Sequence, residues 1–302
     1  AACAAALADP RHLRALGRLR ARADRAEGAI REMSEEGLAH WTVAQTLAGI
    51  TTRYRRDAGD GSLWLRLDGD LREASVFDQL AVVRETGLYR HWAPFVNRSA
   101  CLAWASGVEC VLHMNTHVPP ISRDAVVHAW ACDATYEHDA IVMLGQSVER
   151  PPAGFDAGEL PGVPPPPAGR GAARMEVRGF QALVRATGPH SATTTVVANI
   201  DPKLLLPQRL LDFVLKRMAG MLLYCLQREA RKIGGSMAHP HARAIRDDPF
   251  YGEWLLPRMR RYCEHKGWEL PSVPALDWMA GGDFSPGARA EAAAAAEGGK
   301  PA

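Results

Sequence analysis

A β-branched run, Thr193 to Ile200, stops at Asp201-Pro202, and a long apolar segment starts just after Pro207. This junction constrains the fold more than any other stretch of the chain. The run T-T-T-V-V-A-N-I carries no charge and favours extended backbone, which predicts a strand buried on at least one face. Pro202 removes a backbone donor and Pro207 suits a helix's first turn, so the residues between them form a forced corner. From Gln208 to about Ile233 the apolar spacing is helical. On a wheel, Leu211, Val214, Leu215, Met218, Leu222 and Cys225 share one face, and Arg209, Asp212, Lys216, Gln227 and Arg231 share the opposite one. Phe213 and Tyr224 fall near the polar side, so the apolar surface is wider than one packed neighbour needs.

The elements upstream read as an α+β plan. Residues 10 to about 38 form a helix rich in Ala, Leu and Arg. Trp41 to Gln45 is a short apolar run, Ile50 to Arg56 is β-rich, D-A-G-D-G (57–61) is a turn, and Leu63, Leu65 and Leu67 alternate as a half-buried strand. Ser75 with Asp78 caps a helix carrying Val76, Phe77, Leu80 and Val83, which Gly87 ends. After a linker, L-Y-R-H-W-A-P-F, come three β-like runs: 108–118, 125–133 and 140–148. A Pro/Gly-rich insertion follows (151–172), and then a hairpin around T-G-P-H. Beyond Gly234-Gly235, F-Y-G-E-W-L-L-P-R-M-R-R-Y reads as a further helix. This divides the chain into a helical extension (1–37), a main domain (38–233), a second helical extension (234–280) and an Ala/Gly-rich tail (281–302) that is expected to be disordered.

Composition excludes several classes. A net charge of +2 over 302 residues implies no polyanion partner, so no nucleic acid is expected. Six scattered cysteines without C-x-x-C suit reduced thiols in the cytoplasm. No stretch approaches the ~20 apolar residues of a membrane span, and Ala1 to Ala8 is too short and weakly apolar for a signal peptide's core. His113 and His117 share a strand face, with His128 and His138 nearby in sequence. Without H-E-x-x-H or Cys/His spacing they read as polar sheet positions, so no metal and no cofactor is expected. No G-x-S-x-G or papain-like cysteine context offers a nucleophile, so no catalytic residue is assigned.

Four segments together resemble the START domains, the lipid-transfer domains related to steroidogenic acute regulatory protein. They are W-T-V…G-I-T-T-R-Y-R-R, L-Y-R-H-W-A-P-F-V, P-I-S-R-D-A-V-V-H and N-I-D-P-K-L-L-L-P-Q-R-L-L-D-F-V-L-K-R-M-A-G, in that order. The likeness covers roughly residues 38 to 233 and is nearest to START-like proteins of plants, algae and protists, which often carry an F-Y-x-x-W-L-L-P tail. It implies a helix-grip fold, in which a curved antiparallel sheet grips the long C-terminal helix around a tunnel for one lipid. Sterol-handling members carry an Arg shortly after S-R-D; this chain has V-V-H-A-W there, a departure from the sterol pattern.

On that resemblance the chain is a monomer that binds one lipid or similar amphiphile and transfers or presents it at a membrane surface. Alternatives are a lipid-sensing interaction module and a helix-grip enzyme of hydrolase or cyclase type. The expected tunnel residues are Glu109, Arg123, His128, Leu211, Val214, Leu215, Met218 and Leu222, with Arg123 or His128 as partner to the Glu109 carboxylate. Arg123-Asp124 is also expected to fix a strand corner, and Asp201 to brace the corner before the helix. Arg209, Lys216 and Arg231 are the expected membrane contacts. Gly220, in mid-helix, is expected to weaken the helix by about 1 kcal/mol relative to Ala and so to help it open.

Overall fold

The computed structural model describes residues 10–34, 36–118, 121–149, 162–168, 172–203 and 219–277. Leu211, Val214, Leu215, Met218, Arg209 and Lys216 lie outside the described residues, as does the tail from 281. The strands are β1 (Thr42–Leu47), β2 (Ile50–Arg56), β3 (Leu63–Arg72), β4 (Val96–Ser106), β5 (Glu109–Val118), β6 (Ile121–Ala134), β7 (Ala140–Ser147), β8 (Ala172–Arg174), β9 (Glu176–Gly188) and β10 (Ser191–Asp201). They form one sheet in the order β1-β2-β3-β10-β9-β7-β6-β5-β4, antiparallel throughout, with the short β8 pairing parallel to β6. The labelled helices are α1 (Pro10–Met33), α2 (Val76–Arg84), α3 (Gly220–Ile233), α4 (Pro240–Asp247) and α5 (Leu256–Lys266).

Both faces of the sheet are covered, and strand alternation decides which side chains each cover receives. On the inner face, Leu223, Leu226, Ala230 and Ile233 of α3 pack with Ile50, Leu67, Leu71, Ala182, Val184 and Val196. A buried leucine of this kind contributes roughly 1.5–3 kcal/mol. On the outer face, Ala26, Ala29, Ile30 and Met33 of α1 pack with Trp130, Val142, Leu144, Leu183 and Val197. Adjacent residues such as Leu183 and Val184, or Val196 and Val197, therefore belong to opposite cores.

Polar contacts fasten both covers. Arg66, 3% exposed, reaches the last carbonyls of α1: its Nη2 donates to Met33 O at 3.0 Å and its Nη1 faces Glu32 O at 3.4 Å. These are carbonyls the helix cannot satisfy internally, and the guanidinium also complements the negative end of the helix. At the other end of the chain, Arg84 of α2 donates to Asp248 at 2.7 Å, Glu85 at 3.0 Å and Gly107 O at 3.1 Å. Its guanidinium stacks 4.0 Å from the Phe250 ring and 4.6 Å from Trp104. Tyr251, fully buried, donates to Glu85, so the segment after α4 is locked to α2 by charge and by aromatic packing.

The expected capping pair is present, with Ser75 Oγ accepting from Asp78 N. Other details differ from the sequence reading. Helix α2 ends at Arg84 rather than Gly87, and the linker contains a helical turn, Tyr89–Trp92. Strand β4 was not expected at all. It lies at the sheet edge and shifts register three times against β5, which erases the period-two pattern. Helix α4 was missed too, and F-Y-G-E-W-L is a π-helical turn leading into α5.

Candidate functional site

Register across the strands places one set of side chains on the inner face, the face that α3 covers at β2 and β3. The row Tyr54, Leu65, Ala198, Phe180, Gly145, Ala129, Cys110 and Trp104 crosses eight strands, from β2 to β4. A second row reads Thr52, Leu67, Val196, Ala182, Met143 and Ala131. Leu112, Ala125 and Val127 are buried on the same face farther along, packed with Met114 and Phe180. Several of these side chains are only half-buried: Met114, Ala129, Met143, Phe180 and, from α3, Leu222. A broad apolar surface with partly uncovered members is what an apolar ligand needs. Gly145 shapes it, because a Cβ there would stand 3.2 Å from Val127 Cγ1 and 3.7 Å from Phe180 Cβ.

Helix α3 comes close to the sheet at its start. A Cβ on Gly220 would lie 3.3 Å from Thr52 Oγ1 and 3.8 Å from Ile50 Cγ2, and Gly69 makes room for Leu223. Close approach is thus a second use of Gly220, besides the low helix propensity read from the sequence. Beneath the helix, the hydroxyls of Thr52 and Thr194 are buried without a hydrogen-bond partner. An orphaned buried hydroxyl costs about 1–3 kcal/mol. Thr52→Val, which keeps the shape and removes the hydroxyl, is accordingly expected to raise stability by about 1 kcal/mol. Urea unfolding measures it, and a destabilised variant would mean that the hydroxyl has a partner after all.

The S-R-D motif clamps both faces of β6. Arg123, 9% exposed, donates from Nε to Pro202 O at 2.5 Å and from Nη2 to Lys203 O at 2.9 Å. It thereby holds the corner that follows β10. Asp201 braces the same corner, Oδ1 accepting from Lys203 N and Oδ2 from Lys203 Nζ, and the Lys203 ammonium helps hold its carboxyl below the usual range against burial. The neighbouring Asp124, 2% exposed, points the other way and accepts from Arg174 of β8, which also donates to Pro164 O at 2.9 Å. The described part of the Pro-rich insertion is tied to the sheet by that arginine.

Two expected tunnel residues lie elsewhere. Glu109 pairs with Trp130 in the register and shares its outer face, beneath α1. Its carboxylate accepts from Arg22 of α1 at 2.5 Å and lies 2.8 Å from His128 Nε2. Glu109 and His128 do partner each other, as expected, but under the N-terminal helix and not under α3. Two other histidines also have acidic partners: His113 sits 3.0 Å from Asp124, and His138 2.9 Å from Glu27. Leu222 packs on the edge of the inner core. Arg231 is engaged by Glu73 at 3.2 Å and by the Arg72 carbonyl at 3.1 Å. The five described cysteines are free thiols, and a hydrogen bond with Cys101, together with burial, pushes the Cys110 thiol up, so it acts as an apolar neighbour.

No family model matches the chain, and no curated protein does. Solved structures do. The chain is similar to human STARD10, with a TM-score of 0.55 and 15% identity over 84% of this chain and 90% of that one. It is also similar to human StAR-related lipid transfer protein 5, with a TM-score of 0.56 and 18% identity over 70% of this chain and 96% of that one. The architecture is the helix-grip α+β fold of the START domains, a large antiparallel sheet with a C-terminal helix across it. No helix among the described residues is long and apolar enough to cross a membrane.

Proposed function

We propose that the chain binds a single lipid or similar amphiphile between the inner face of the sheet and its C-terminal helix, and transfers or presents it at a membrane surface. The observation that carries this reading is the apolar row from Leu65 through Ala198, Phe180, Gly145 and Ala129 to Cys110, of which Leu65, Ala198, Phe180 and Ala129 are only partly covered. Each methylene moved from water onto such a surface is worth about 0.8 kcal/mol, so an acyl chain needs no charged anchor to be held. The likeness to a lipid transfer protein of the same fold supports the reading. An enzymatic role has no comparable support: the acid–base pair Glu109 and His128 lies on the other face and is already engaged by Arg22. Arg123 fixes the corner at Pro202 and Lys203 that ends β10.

Native mass spectrometry of the gently purified chain, followed by incubation with mixed liposomes, tests the proposal. One lipid-sized adduct per chain is expected, exchangeable for a labelled lipid. A chain that stays empty through both steps would sink it.

A further inference from the structure

Away from the inner face, Glu229 of α3, His239 and His241 converge where the chain turns from α3 into α4. We infer that this Glu229–His239–His241 cluster is a binding site for one divalent transition-metal ion of the zinc type. The ligand atoms are Glu229 Oε1, His239 Nε2 and His241 Nδ1. Oε1 lies 3.3 Å from the first nitrogen and 3.5 Å from the second, and candidate ligand atoms of the three residues fall within 4.8 Å of one another. Zinc bonds of 2.0–2.1 Å in a tetrahedron put neighbouring ligands about 3.3–3.4 Å apart, which the two carboxylate–imidazole separations already match; the stacked rings, with centroids 5.4 Å apart, would turn their nitrogens toward the ion.

The second observation is an unsatisfied imidazole. His241 is 0% exposed, and neither of its ring nitrogens has a hydrogen-bond partner. A buried polar ring left so is costly, and coordination is the contact that would satisfy it. His239, with a side chain 15% exposed, leaves one side of the cluster near water for a fourth ligand. His239 and His241 flank Pro240, the first residue of α4, and this fixes both rings at the mouth of the turn.

The surrounding charge is balanced. Lys232 Nζ holds Glu229 Oε2 at 2.9 Å and leaves Oε1 to face the rings; His91 is the other titratable group felt at His241. The positive N-terminus of α4 opposes a cation there, while the negative C-terminus of α3 favours one, and the two largely offset. A bound ion would tie α4 to α3 and stabilise the native state by mass action, independently of any lipid on the inner face.

Cobalt(II) added to the metal-stripped full chain provides the test. Intense visible bands of a four-coordinate ion are expected, saturating at about one equivalent and erased by zinc. His239→Ala and Glu229→Gln should each weaken binding by about tenfold or more. Zinc should raise the melting temperature of the unaltered chain and leave that of His239→Ala unmoved. Absence of the four-coordinate bands in the unaltered chain overturns the inference even if both variants fail to fold. Bands of undiminished affinity in either folded variant overturn it as well.

Discussion

Ala129→Trp is expected to leave the chain folded while weakening lipid binding by about tenfold or more, about 1.4 kcal/mol or above. Ala129 sits half-buried on the inner face, between Gly145 of β7 and Cys110 of β5. An indole there would occupy the space over Gly145 that an acyl chain would fill. Overpacking costs about 1–3 kcal/mol, which a sheet covered on both faces can absorb. Displacement of a fluorescent fatty acid measures the affinity, and thermal melting checks the fold. Unchanged affinity in a folded variant would place the ligand away from the sheet.

The second large effect is on stability. Arg84→Ala removes the contacts to Asp248 and Gly107 O and leaves Glu85 and Tyr251 without their cation. The Arg84 side chain is 15% exposed but its Asp248 partner is 38% exposed, so with solvent screening the loss is about 2 kcal/mol. Arg84→Lys should recover little, because an ammonium cannot span three acceptors in one plane or stack on Phe250 in the same way. Urea unfolding reads the loss, and increased proteolysis after Gly234 would show that the C-terminal helices have come away. A loss below about 1 kcal/mol would mean that the aromatic packing alone holds them.

The α+β plan, the capping pair at Ser75, the two clamps around Arg123 and Asp201, and the helical run from Gly220 to Ile233 could be read from local chemistry. What escaped depends on long-range pairing. Both sheet faces are covered, so both alternating sets are apolar: Val111, Val126 and Trp130 on one, Cys110, Leu112 and Val127 on the other. With no polar set to mark the solvent side, alternation cannot say which face Glu109 joins. The deciding partner, Arg22, lies 87 residues away. Strand β4 escaped because its bulges break the pattern. The Glu229, His239 and His241 cluster has its pair in H-P-H, but the third group stands on another helix, outside any short motif.

The way α1 is fastened has a consequence for the order in which the molecule can assemble. Apart from Arg55, 23 residues from Glu32, its partners include Glu109, His138 and Gln181, at separations of 87, 111 and 149 residues, and Arg66 closes its end. Contacts this remote in sequence form only after the loops between them have closed. Helix α1 leaves the ribosome ahead of every strand, yet it cannot dock until β7, β9 and β10 have made the surface that receives Ala26, Ile30 and Met33. The segment of the described chain that is synthesised first is therefore among the last to be seated, and its apolar stripe stays exposed during that wait.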